Sequence, residues 1–184
     1  MKNNFLICGL DRLGKDTLIS GIQQRLGFYQ VLHRGRPPLL ECYDLSARTF
    51  QVNCFEQDMR LIALADKHDL HLIYNRAWLG EAVYAPLYRG YDGSYVFELE
   101  RQHGMAALHR TRLILLTEDF SVSRHFQDDG LSFDPTRRQQ EQQLFLDAFD
   151  RSAVADKKII CVTDPATGQF KSAAEILHAA LNRD

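Results

Sequence analysis

Five short strand-like runs divide this chain, at 4–10, 28–33, 70–75, 112–118 and 158–164, and longer segments of helical periodicity separate them. The first, NFLICGL, is continuously apolar rather than alternating, so the strand it forms must be covered on both faces. Between the runs, Leu18, Ile19, Ile22 and Leu26 recur at helical spacing in 16–26, as do Phe55, Met59, Ile62 and Ala63 in 47–67. Further helices are predicted at 78–88, interrupted near its end by Pro86, and at 95–110 despite Gly104. Two more are predicted at 135–149, with Asp134 as N-cap and Pro135 at the first position, and at 171–181. This alternation predicts an α/β three-layer sandwich, a five-stranded parallel sheet wrapped on both faces. In such sheets ligands gather at the carboxyl ends of the strands, so chemistry is sought in the residues that follow each run.

At 184 residues and a formal net charge of −2 the chain suits one domain spanning 1–184. No apolar run approaches the roughly 20 residues that span a bilayer, and MKNNFLICGL is too short in apolar residues for a signal peptide. The expectation is a cytoplasmic protein without a membrane partner. Cys8, Cys42, Cys54 and Cys161 are scattered, which suggests neither zinc nor a disulfide framework. The balanced charge disfavours a dedicated nucleic-acid binder but leaves room for a locally basic groove.

The first run ends in CGLDRLGKDT, where Gly9, four residues, Gly14 and Lys15 have the spacing of a phosphate-binding loop between a strand and a helix. Glycines let backbone N–H groups curl around an anion, and the helix N-terminus adds favourable partial charge. Lys15 would reach the β- and γ-phosphate oxygens and is expected to stand exposed when no anion is bound. The place where such loops carry a hydroxyl for Mg²⁺ holds Asp16, and Thr17 follows one place late. Asp16 is either a hard-oxygen ligand for Mg²⁺ or a helix cap that leaves the metal to Thr17 or a water. The plain alternative for the whole loop is a glycine turn with a solvated lysine.

GLDRLGKDT resembles the loop of the thymidylate kinases, which run G-L-D-R-x-G-K-[ST]-T, and the G-K-D-T variant looks like that of some phage-type deoxynucleoside monophosphate kinases. The resemblance implies the P-loop NTPase fold of the nucleoside monophosphate kinases. It implies ATP held by Gly9, Asp11, Gly14, Lys15, Asp16 and Thr17, with Mg²⁺ at Asp16 and Thr17. It also implies catalytic cations at Lys15 and Arg12, Arg12 otherwise being a surface charge.

A second stretch, YNRAWLGEAVYAPLYRG at 74–90, looks like D-R-x-W-x-x-E-x-V-Y-x-P-x-x-R-G of phage-encoded thymidylate-kinase-like proteins, with Asn75 in place of the first aspartate. Asn keeps an acceptor and gains donors but loses the charge and any base function. Arg76 is the implied acceptor-phosphate ligand. Trp78, Tyr84 and Tyr88 offer a wall for a base, or else pack the core. Glu81 orients a substrate hydroxyl, fixes Arg89, or lies on a helix surface. Arg34 and Arg36, in HRGRPPLLE after the second run, suit an acceptor phosphate or sugar, or form a solvated basic turn.

Segment 117–138 occupies the place of a mobile lid in the kinases this chain resembles, with Arg124 the arginine expected to close on the phosphates. Its Asp128-Asp129-Gly130 turn reads as structural rather than metal-binding, and Glu141 has helical spacing to Arg137 and Arg138. DPATGQ at 164–169 lies where adenine would lie. The leading expectation is transfer of the γ-phosphate of ATP to a deoxynucleoside monophosphate, thymidylate-like, in the host cytoplasm if phage-encoded, with a homodimer left open. One alternative acceptor is the hydroxyl of 5-hydroxymethyluracil in DNA, which needs a base from Glu81, Asp11 or Asp44. The other alternative is a nucleotide-binding protein without turnover.

Overall fold

The computed structural model describes residues 4–34, 47–104, 108–122 and 135–182. Strands β1 (Asn4–Gly9), β2 (Gln30–His33), β3 (Leu72–Asn75), β4 (Thr111–Thr117) and β5 (Asp156–Cys161) form one sheet, all pairs parallel, in the order β2-β3-β1-β4-β5. Helices α1 (Lys15–Leu26), α2 (Ala47–Lys67), α3 (Leu79–Tyr84), α4 (Tyr95–Leu99), α5 (Pro135–Arg151) and α6 (Ala173–Leu181) cover both faces. Helix α1 packs against α6, while α3 packs against α5 and α4. The expected layered fold with five parallel strands is therefore the fold observed. No helix among the described residues is long and apolar enough to cross a membrane.

Burial explains the continuous apolar runs. Every residue of β1 and β4 is buried, and Leu6, Ile7, Leu113, Ile114 and Leu116 are wholly so. β1 is central, and its end is pinned by the close approach of β4. A Cβ on Gly9 would meet the Leu116 carbonyl oxygen at 2.4 Å, so only glycine fits there.

Two predicted helices take other forms. The 78–88 segment runs as α3 to Tyr84 and then widens into a π-helical turn, Ala85–Arg89, around Pro86. Proline lacks an N–H and crowds the preceding turn, and widening accommodates it without ending the helix. In the 95–110 segment α4 widens at once into a π-helical turn over Glu100–Gly104, and Leu108–Arg110 form a 3₁₀ turn. The predicted N-cap Asp134 lies outside the described residues, whereas α5 begins at Pro135 as expected.

Candidate active site

The site begins where β1 ends. Gly14 adopts the left-handed conformation (φ 80°) at the N-cap of α1, and its carbonyl accepts from Leu18 N at 2.9 Å to close the first turn. Asp16 is the second residue of the helix rather than its cap, so the capping alternative is corrected: the N-cap is Gly14. Arg12 also has a positive φ, 66°, a conformation that costs a non-glycine residue about 1–2 kcal/mol. Strain of this kind in a tight loop is consistent with backbone shaped around a ligand.

Lys15 is not exposed, contrary to expectation. It is 6% exposed, and its Nζ donates to Leu10 O at 2.6 Å and to Gly9 O at 3.1 Å. Asp11 Oδ1 lies 3.9 Å away. The ammonium thus fills the loop that an anion would occupy, satisfied by carbonyls that a phosphate would replace. Burial, and then the neighbouring Arg76 guanidinium, lower its pKa to about 8.

The ends of β2 and β3 supply the opposite wall. His33 and Asn75 are register partners, and the ladder runs one step beyond them. Arg34 N donates to Asn75 O at 3.3 Å, and Arg76 N donates to Ile7 O at 3.1 Å. This pairing brings Arg34 and Arg76 out side by side at the carboxyl edge of the sheet. Arg76 is left-handed (φ 57°), and its Nη2 donates to Asp11 Oδ1 of the loop. Arg34 is clamped by Asp58 of α2, with Nε donating to Oδ2 at 2.9 Å and Nη2 donating to Oδ1. Burial raises the pKa of Asp58, which is 0% exposed, and the Arg34 contact offsets this in part; Asp58 in turn holds the Arg34 guanidinium charged more firmly than usual.

Arg12, Gly14, Lys15, Asp16, Thr17, His33, Arg34, Asn75 and Arg76 together line a cleft of about 360 Å³. It unites most of the predicted phosphate loop with three of the predicted acceptor residues, Arg34, Asn75 and Arg76. On the other side of the loop a more apolar hollow of about 180 Å³ lies between Leu13, Leu18, Phe170 and Ile176. The DPATGQ turn stands just before Phe170 and is held by Asp164 Oδ1, which accepts from Ala166 N at 2.7 Å and Thr167 N at 3.1 Å.

Other predicted acceptor residues are placed elsewhere. Trp78 is 0% exposed, and its Nε1 donates to the buried Glu100 at 2.6 Å, so it belongs to the core and not to a base-stacking wall. Glu81 is buried and accepts from Arg89, from Tyr91 at 2.5 Å and from Tyr95 at 3.0 Å. It is neither a surface residue nor presented to the cleft; of the three roles weighed, fixing Arg89 is the one observed. Tyr84 packs edge-on against Phe145 of α5 (centroids 5.7 Å apart) and sits 6.0 Å from Tyr88. Burial, then the carboxylates of Asp11 and Glu141, raise its pKa, so its hydroxyl stays neutral beside the cleft's charges. Arg36 and Arg124 lie outside the described residues, as do Cys42, Asp44 and the Asp128-Asp129-Gly130 turn.

Sequence reasoning passed over two contributors, His33 and Asp58, and gave Arg137, Arg138 and Glu141 only as a helical-spacing set. His33 lines the cleft, and Asp58 holds Arg34. From α5, Arg138 donates to the Asp11 carbonyl at 3.0 Å and to Glu118. Glu141 takes the Tyr88 hydroxyl, and Arg137 lies over the Tyr88 ring, 5.0 Å from its centroid. Asp58 left a signal: it is a carboxylate on the same helical face as Phe55, Met59 and Ile62.

A central strand, a glycine loop with its lysine, a helix N-terminus and a facing pair of arginines thus meet in one cationic cleft at the carboxyl edge of a parallel sheet. No model of a known protein family matches the sequence, and no curated protein matches it. Solved structures do. The chain is similar to the YorR protein of Bacillus subtilis, solved in complex with phosphorylated GDP, at 16% identity and a TM-score of 0.62, covering 95% of this chain and 91% of that one. It is similar to the thymidylate kinase of Ehrlichia chaffeensis at 11% identity and a TM-score of 0.61, covering 95% and 94% of the two chains. Against the thymidylate kinase of Candida albicans the values are 14% and 0.60, with 96% and 88% covered. At these identities the likeness is one of fold: the chain shares the layered α/β fold, with its five-stranded parallel sheet, of these solved structures.

Proposed function

We propose that this protein is an ATP-dependent kinase that transfers the γ-phosphate to a deoxynucleoside monophosphate, with a thymidylate-like acceptor. The observation that carries this is the single cleft joining the phosphate loop to Arg34 and Arg76. Donor and acceptor phosphates meet where four cationic side chains converge. In the transfer, an acceptor phosphate oxygen bonds to the γ-phosphorus as the bond to the β-bridging oxygen breaks, and ADP leaves. Little covalent chemistry is asked of the protein, so positioning and charge stabilisation do the work.

Lys15 exchanges its loop carbonyls for the β- and γ-phosphate oxygens. Arg12 and, from the segment after β4, Arg124 add charge around the transferred group. Arg76 and Arg34, each already oriented by a carboxylate, grip the acceptor phosphate, as paired guanidinium groups do well. The apolar hollow beside Phe170 suits the donor base. Asp16 and Thr17 line the cleft beside the buried, unpartnered Asn75 Oδ1, a set of hard oxygens that fits Mg²⁺. Mg²⁺ held there would neutralise phosphate charge during the transfer.

A phosphate acceptor needs no strong base, which favours this substrate over a base hydroxyl in DNA. Of the candidate bases among the described residues, Glu81 is taken up by three donors and Asp11 by Arg76. The test is coupled ADP release from MgATP across the deoxynucleoside monophosphates and DNA containing 5-hydroxymethyluracil. Turnover with thymidylate is expected. Turnover with the modified DNA alone would overturn the acceptor assignment.

A further inference from the structure

Asp16 and Asn75 are 59 residues apart in sequence, and the fold brings them into contact. Asn75 Nδ2 donates to Asp16 Oδ1 at 2.7 Å. A carboxylate only accepts, so the amide must turn its nitrogen toward Asp16, and this leaves Asn75 Oδ1 on the other side of the group. That oxygen is buried without a hydrogen-bond partner, on a residue 4% exposed that lines the cleft. A buried acceptor left empty calls for a ligand that fills it. The strand fixes where it sits, because Asn75 is paired with Ile7 on one side and His33 on the other.

The contact also explains why position 75 is neutral. A carboxylate there would have no proton to give, and would stand at hydrogen-bonding distance from a second negative charge. Asp16 is the one carboxylate among the described residues lining the cleft. No group of three or more His, Cys, Asp and Glu side chains is placed to hold a metal among the described residues. A cation entering here therefore brings ligands of its own, as Mg²⁺ does when it arrives on a polyphosphate.

We propose that Asp16 and Asn75 act as one unit, a single negative charge on Asp16 held in place by the Asn75 amide, with Asn75 Oδ1 as a second, neutral oxygen for the cation of a metal–polyphosphate. Asn75 is then a positioning residue for Asp16, and the charge belongs to the pair. This rests on the nucleotide-binding assignment above. The two amino acids are isosteric in their carboxylate and amide forms, so exchanging them reverses the hydrogen bond while keeping the charge count.

The experiment is calorimetric titration of ATP, with and without Mg²⁺, into the wild type, Asp16→Asn, Asn75→Ala, Asn75→Asp and the exchange Asp16→Asn/Asn75→Asp. Mg²⁺ is expected to tighten ATP binding to the wild type. Asp16→Asn and Asn75→Ala should each lose about ten- to a hundredfold of that gain, the range for removing a ligand's supporting partner. Asp16→Asn should leave metal-free ATP binding intact or tighter, since a charge near the phosphates is gone. Asn75→Asp should weaken metal-free ATP, having two carboxylates beside it. The exchange variant should recover most of the gain lost in Asp16→Asn. Full retention of the gain in both Asp16→Asn and Asn75→Ala would overturn the unit, as would an exchange variant no better than the worse single. Wild type that binds no ATP at all would instead overturn the nucleotide assignment beneath it.

Discussion

The ammonium of Lys15 is buried among loop carbonyls, and its pKa is lowered to about 8 from 10.5 by that burial and by Arg76. The folded protein thus binds this proton less tightly than the unfolded chain does. This group alone makes the fold more stable as pH rises from about 8 toward 10.5. A phosphate in the loop reverses the balance by favouring the charged form. ATP binding near pH 8 is therefore expected to take up a fraction of a proton. Calorimetry in buffers of different ionisation enthalpy measures it, and Lys15→Ala should abolish it. Proton-neutral binding by the wild type would place Lys15 away from the phosphates. Arg76 gives a second residue-scale outcome. Arg76→Ala should weaken the acceptor by about tenfold or more and ATP much less, the loss of one charge-assisted contact being about 1.5–3 kcal/mol. Separate titrations of the two nucleotides check this, and equal weakening would put Arg76 outside the acceptor side.

Helix α3 and the widened turn after it carry a sequence motif whose members serve two ends. Arg76 opens toward the cleft, while Trp78, Glu81 and Arg89 tie α3 and the widened turn to α4 and the turn that follows it. The motif could be seen in the sequence, but the division within it could not. Whether an aromatic faces a ligand or the core depends on what lies above the helix, and here that is Glu100, 22 residues on, together with Ser152 of the α5 end. Trp78→Phe should cost about 1–3 kcal/mol by leaving Glu100 short of a donor, with KM for the acceptor unchanged. A raised KM at unchanged stability would return Trp78 to the cleft. Glu81→Ala leaves the Arg89 charge buried and unpaired, and a loss of about 3–5 kcal/mol is expected from the denaturant midpoint. A loss under about 1 kcal/mol would mean that Arg89 reaches solvent when released.

At the scale of the molecule, the five strands, their parallel sense and the loop after β1 were readable from apolar runs and helical periodicity, because a sheet buried on both faces leaves that mark in local sequence. The order β2-β3-β1-β4-β5 was not, since pairing joins residues far apart, such as Gln30 with Leu72 and Asn4 with Thr111. The same limit hid the contacts that set the site's charges: Asp58 on Arg34, Asp11 on Arg76 and Asn75 on Asp16 are 24, 65 and 59 residues apart. Sequence shows which groups are present, and only the fold shows which of them are already matched. The interruption at Pro86 was visible in the sequence, whereas the 95–110 segment was expected to run as one helix despite Gly104 and instead widens into a π-helical turn from Glu100.

Under the proposed function, phosphate passes between two nucleotides in the one cleft that holds the glycine loop, Arg34 and Arg76. Incubation with thymidylate and ATP labelled at the γ-phosphate tests it most directly, with products resolved by chromatography. Label is expected in thymidine diphosphate for the wild type and in no nucleotide product for Lys15→Ala. Label released only as inorganic phosphate, or transferred equally well by Lys15→Ala, would contradict the account.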